Sequence, residues 1–168
     1  MSSTTLDRTA QPVTRDPREL ISDELFDQIV ARIQEHMPVA RFYAELMVEQ
    51  MLAYIATVAA YDPGNPPAFV VDGGYEFRYL TPSTAVDPAI HYFLDFTGDY
   101  RAFCARLTGG HFIDHVPVVN ESITSGKSLR LTVDVMRHFG WEVDERMWQQ
   151  GTSCCQTDNC FLKVTRLN

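Results

Sequence analysis

Three things are scarce in this 168-residue chain: basic charge, long apolar runs and recognisable catalytic signatures. Lys and Arg number 14 against 22 Asp and Glu, a formal net charge of −8. Such a surface repels phosphate backbones. No basic stripe interleaved with aromatics offsets it, so nucleic acid is not expected as a partner. The longest apolar stretch, "MLAYIATVAAY", has 11 residues, too few to cross a bilayer. The opening "MSSTTLDRTAQPVTRDPREL" lacks the apolar centre of a secretory signal, which predicts a cytoplasmic protein. There is no G-x-G-x-x-G. "SITSGKS" lacks the upstream glycine of a phosphate loop.

What is present is an ordinary globular balance, 45% apolar and 21% charged, in a length that suits one domain. Residues 1 to about 20 read as a flexible arm, and residues 21–168 as a single domain. "SDELFDQIVARIQEH" carries apolar residues at 25, 26, 29, 30 and 33, a helical stripe that Ser22 can cap. "PVARFYAELMVEQMLAYIATVAAY" is apolar on most sides and reads as the central helix, opened by Pro38. "AFVVDGGYEFRYL" reads as a hairpin turning at Asp72-Gly73-Gly74. Residues 87–106 read as one helix and 109–117 as a loop. "KSLRLTVDVMRHF" reads as another helix ended by Gly140, "VDERMW" as a short helix capped by Asp144, and "CFLKVTRL" as a short strand. The expected fold is mainly α: a compact bundle of about four to five helices with a small β-hairpin.

Histidine and cysteine supply the chemistry. On the helix from residue 87, Asp87 and His91 project about 40° apart, with Asp95 on the same stripe. Phe93, Thr97, Tyr100 and Cys104 form the packing side. A carboxylate one turn from an imidazole can fix its tautomer, share a metal ion with it, or form an acid/base pair. Taken alone, the pair is also an ordinary surface contact worth ~0.3–0.5 kcal/mol. His36 and His138 read as packing or capping residues, His138 suiting the end of its helix.

"VDPAIHYFLDFTGDYRAFCARLTGGHFIDHVP" resembles the characteristic segment of glycine-rich domain-containing proteins and their short bacterial relatives. That pattern runs V-D-x-x-W-H-x-F-I-L-x-T-x-x-Y-x-x-F-C and then G-x-F-I-H-H-x-P. Val86, Asp87, His91, Phe93, Thr97, Tyr100, Phe103, Cys104, Gly110, Phe112, Ile113, His115 and Pro117 match it. Ile90 stands where the family has Trp, and Asp114 where it has the first of two histidines. The tail "TVDVMRHFGWEVDERMW" is similar in a looser way. The glycine-rich region is absent. The resemblance implies a site joining Asp87 and His91 to His115, without naming a reaction. Asp114 would shift such a site toward a harder ion, and His111 could stand in for the lost imidazole.

Three of the four cysteines fall in "CCQTDNC". With no export signal, reduced thiols are expected. Adjacent Cys154 and Cys155 point apart in an extended chain, so one of them would join Cys160. The candidate metal ligands are therefore His91, His115, Cys154 and Cys160, with His111 and Cys155 as alternates. Zinc comes first among divalent metals, then copper or iron. If the site is catalytic, the metal would activate water or a substrate oxygen, Asp87 would orient His91, and Asp114 or Asp95 would act as base. The other cysteine readings are a core residue at Cys160, inert tail thiols, or a disulfide to Cys160. Two functions stay open: a small bacterial metal-binding protein, enzyme or accessory, acting on a small molecule or protein partner; or a metal-free binding or scaffold domain. No membrane partner is expected.

Overall fold

The computed structural model describes residues 15–118, 120–149 and 160–165. The expected mainly helical fold with a small β element is present. The helices are α1 (Asp23–His36), α2 (Arg41–Ala60), α3 (Ala68–Asp72), α4 (Asp87–Leu94), α5 (Thr97–Thr108), α6 (Glu121–Thr124) and α7 (Lys127–His138). Two strands, β1 (Phe112–Pro117) and β2 (Cys160–Thr165), pair antiparallel.

α2 is the axle. Met47, Val48, Met51, Leu52, Tyr54 and Ile55 are all fully buried, and α1, α4, α5, α7 and β2 pack around them. Because apolar residues surround the helix, each neighbour can bury its own stripe against it. α1 contributes Phe26, Ile29, Val30 and Ile33, and Oγ of Ser22 accepts the Leu25 N–H as expected of a cap. α2 begins at Arg41, three residues beyond Pro38. No helix is long and apolar enough to cross a membrane among the described residues.

A buried glutamine ties the C-terminal part to α2. Nε2 of Gln50 donates to the Glu142 carbonyl, while Oε1 accepts from Asp144 N–H at 3.2 Å and from Trp148 Nε1 at 2.7 Å. Every polar group of this amide is thereby used, so its burial is tolerated. Residues 143–148 form a turn held by Asp144 Oδ1 accepting the Arg146 N–H, not the short helix expected.

Four further expectations change. The hairpin foreseen in "AFVVDGGYEFRYL" is a helix: Pro67 leads into α3, Val70 is buried, and Gly73 N–H closes the turn on Phe69 carbonyl. The β-branched pair is read as strand by propensity, but here one valine packs and the other faces solvent. The single helix over 87–106 is two. At Phe96 the backbone leaves the helical region (ψ 59°), and α5 starts afresh at Thr97. Thr97 is consequently exposed at the break and is not part of the packing side. Residues 112–117, read as loop, form β1. Its partner is the tail strand, so the β element joins two segments remote in sequence. At the near end of the arm, Pro17–Leu20 form a 3-10 turn against α2, with Arg18 paired to Glu45 and Glu49.

Candidate metal centre

Asp87 is the first residue of α4 and is only 4% exposed. Its position is set from behind: Ser83 Oγ accepts the Val86 N–H, and Ser83 carbonyl accepts the Asp87 N–H. Pro88 follows in the first turn, where its missing N–H costs nothing.

β1 brings the second group. α5 ends at Gly109 and Gly110, both at positive φ (72° and 109°), where side-chain-bearing residues would be strained. That reversal sends the chain back alongside the helices. Tyr100 donates its hydroxyl to the Ile113 carbonyl at 2.9 Å, pinning β1 to α5. Burial holds this phenol well above its usual range, and it stays a donor. Side chains alternate along the strand, so Ile113 and His115 face inward while Asp114 faces the other way.

β2 brings the third. The register pairs His115 with Leu162 and Pro117 with Cys160, so Cys160 shares the inward face with His115. Phe161 turns outward against Tyr79, ring centroids 4.5 Å apart.

The result is a compact group. Nε2 of His115 lies 3.1 Å from Oδ1 of Asp87. Sγ of Cys160 lies 3.4 Å from the same oxygen. All three donor atoms fall within 4.8 Å of one another. The second carboxylate oxygen, Oδ2, lies 3.2 Å from Nε2 of His91. The two imidazoles meet edge to face, centroids 4.7 Å apart. His91 is the outer member, its side chain 48% exposed against 18% for His115.

Burial would raise the Asp87 carboxyl, but hydrogen bonds from His115 and His91 and their charge outweigh it and bring it down to about 2. The hydrogen bond to Asp87 raises the His91 imidazole against the opposing effect of its partial burial. Asp87 is an ionised carboxylate clamped between two rings, a stronger role than the surface contact its spacing also allows.

The donor spacing suits an ion. Ligands at about 2.0–2.3 Å around a tetrahedral centre stand roughly 3.3–3.8 Å from one another. The His115–Asp87 and Cys160–Asp87 separations, 3.1 and 3.4 Å, are close to that edge. Nitrogen, carboxylate oxygen and thiolate sulfur are all zinc donors.

One feature opposes it. Cys160 is disulfide-bonded, which overturns the expectation of reduced thiols at this position. A disulfide sulfur is a poor ligand, so the geometry fits a metal while the oxidation state does not. Cys154 and Cys155 lie outside the described residues. Cys104 is free and buried, as expected of the packing side.

No family model, curated protein or solved structure matches this chain.

The remaining candidates are not brought to the cluster. Asp114 pairs across the ladder with Lys163 on the opposite face. Asp95, about two turns along the helix from Asp87, pairs instead with Arg32 of α1, 2.9 Å from its Nε. His111 lines a separate cavity of about 540 Å³ with Tyr61, Leu80 and Leu162. His36 stacks on Tyr92, and His138 packs against Phe69. Sequence reasoning cast Asp87 as an orienting group. Its central place between all the other donors follows from β2 docking beside β1, which no local pattern signals.

Proposed function

We propose that the reduced chain is a small metal-binding protein holding one divalent ion through Asp87, His115 and Cys160, with zinc preferred over copper or iron. The observation that supports this reading is three chemically different donors within 4.8 Å, on α4, β1 and β2. The resemblance of residues 86–117 to the short bacterial relatives of glycine-rich domain-containing proteins supports Asp87 and His115 of this set. Asp87 supplies charge that partly neutralises the ion. His115 supplies a nitrogen held in orientation by its strand. Cys160 supplies the soft ligand that favours zinc or copper over magnesium or calcium.

Three protein ligands leave a fourth position open, the pattern of sites that bind an exchangeable molecule. His91 stands at the exposed side of that position, on the other carboxylate oxygen. It is placed to complete the ligand set or to exchange a proton with a bound small molecule.

A second reading follows from the disulfide. With Cys160 oxidised, Asp87, His91 and His115 tie α4 to β1 by hydrogen bonds alone, and the protein is a metal-free scaffold.

Elemental analysis of untagged protein, purified with a non-thiol reductant, separates the two. Near-stoichiometric metal that is lost in His115→Ala and Asp87→Ala supports the centre. Metal-free protein that merely melts earlier in both variants supports the scaffold.

A further inference from the structure

We propose that the metal and the Cys160 disulfide exclude one another, so that thiol oxidation releases the ion and the ion protects the thiol. This inference rests on the metal-binding reading above and adds its regulation.

Cys160 is fully buried, and its strand is fixed by pairing with β1 from Phe112↔Thr165 to Pro117↔Cys160. The sulfur is therefore held beside Asp87 by the backbone ladder and needs no metal to bring it there. In the structure this sulfur is spent in a disulfide. As a thiolate it is the third donor of the cluster; in the disulfide its bonding electrons are committed to the second sulfur. One atom serves two incompatible bonds.

Oxidation of the metal-loaded chain balances with a low-molecular-weight disulfide as oxidant. The metal–sulfur bond at Cys160 and the oxidant's S–S bond break. A protein S–S bond forms with a second cysteine of the chain. Two electrons pass from the protein sulfurs to the oxidant, which leaves as two thiols. One of their protons comes from the second cysteine and one from solvent. The ion departs with its charge unchanged, so the step as written applies to Zn²⁺ and Co²⁺ alike.

Linkage fixes the size of the effect. An ion that binds only the dithiol form, present at a hundred times its Kd, shifts the dithiol–disulfide equilibrium about a hundredfold toward dithiol. The reciprocal holds: the oxidised chain, which lacks the thiolate ligand, does not take up the ion at that concentration. The remaining donors, Asp87, His115 and His91, hold each other by hydrogen bonds when the ion leaves. The helix–strand junction thus survives the exchange.

The test uses the full chain with Co²⁺ as the optical probe and Zn²⁺ as competitor. Reduced protein should bind one Co²⁺ with a thiolate-to-cobalt band in the near ultraviolet, displaced by Zn²⁺. After treatment with oxidised glutathione, binding should be lost at the Co²⁺ concentration that saturates the reduced chain, and the band vanish. Bound Zn²⁺ should slow the oxidation. The Cys154→Ser/Cys155→Ser double variant, which cannot close a disulfide at the buried Cys160, should keep the band after the same treatment. Equal Co²⁺ affinity in both redox states overturns the coupling while the metal reading stands. Oxidation at the same rate with and without Zn²⁺ also overturns it. Failure of the reduced protein to bind Co²⁺ or Zn²⁺ overturns the metal reading, and the coupling with it.

Discussion

Oδ1 of Asp87 lies 3.1 Å from Nε2 of His115, joining the first turn of α4 to the middle of β1. The other oxygen reaches His91 on the next turn of the same helix. A single ionised side chain therefore fixes both a helix start and a strand position.

Removing it should cost more than a surface pair. Asp87→Ala deletes two charge-assisted hydrogen bonds, one of them to a mostly buried ring. We expect a loss of about 2–3 kcal/mol in urea unfolding of the metal-free protein. His91→Ala, at the exposed end, should cost under about 1 kcal/mol. Equal losses from the two variants would argue against Asp87 as the structural centre.

Acid stability should follow the same carboxylate. Its folded value, about 2, lies below the ordinary 3.8, so its contribution is complete above the unfolded value and disappears as pH falls toward 2. The gap corresponds to about 2 kcal/mol. His91 has the opposite sign. Its imidazole is raised above 6.5, so its contribution is full below that pH and is lost as pH climbs through its folded value. Metal-free protein should be best supported by the pair between about pH 4 and 6.5. Thermal melts across pH 2–8 check this; Asp87→Asn should flatten the acid limb.

Gln50→Leu should destabilise despite the apolar replacement. It leaves the Trp148 indole N–H, the Asp144 N–H and the Glu142 carbonyl without partners. A loss of about 2–3 kcal/mol is expected, with quenching or shift of tryptophan fluorescence from Trp148.

Tyr61→Phe should act the other way. The Tyr61 hydroxyl is buried with no hydrogen-bond partner among the described residues, and burial pushes it up to about 12. Deleting an unsatisfied hydroxyl while keeping the ring should raise stability by up to about 1 kcal/mol. A fall in melting temperature would show that the hydroxyl is satisfied in solution.

The helices α1 and α7 were legible because each carries its own period and an end signal, Ser22 before the first stripe and Gly140 after the last; α2 was legible because it is apolar on most sides over a long run. The pairing of Asp87 with His91 was legible for the same local reason. The break at Phe96 was not, since the nearby Gly98 lies inside the new helix and not at the break. Asp95 shares a stripe with His91, but its partner Arg32 comes from α1, which the local pattern does not show. The inward turn of His115 was hidden for a different reason. Which face a strand presents depends on its partner, and β1 finds its partner in Cys160–Thr165, a segment whose local sequence says only that it is a strand. The clustered thiols of "CCQTDNC" allow a disulfide at Cys160 as well as a reduced ligand, and nothing local chooses between them.

The distance along the chain between β1 and β2 has a kinetic meaning. The β1 and α4 halves of the cluster lie close in sequence and can meet early, whereas the sulfur comes only when a large loop closes. Asp87 and His115 would thus wait, already paired, for the last donor. The final docking step of the fold and the completion of the cluster are one event, and amide exchange along β2 would time both.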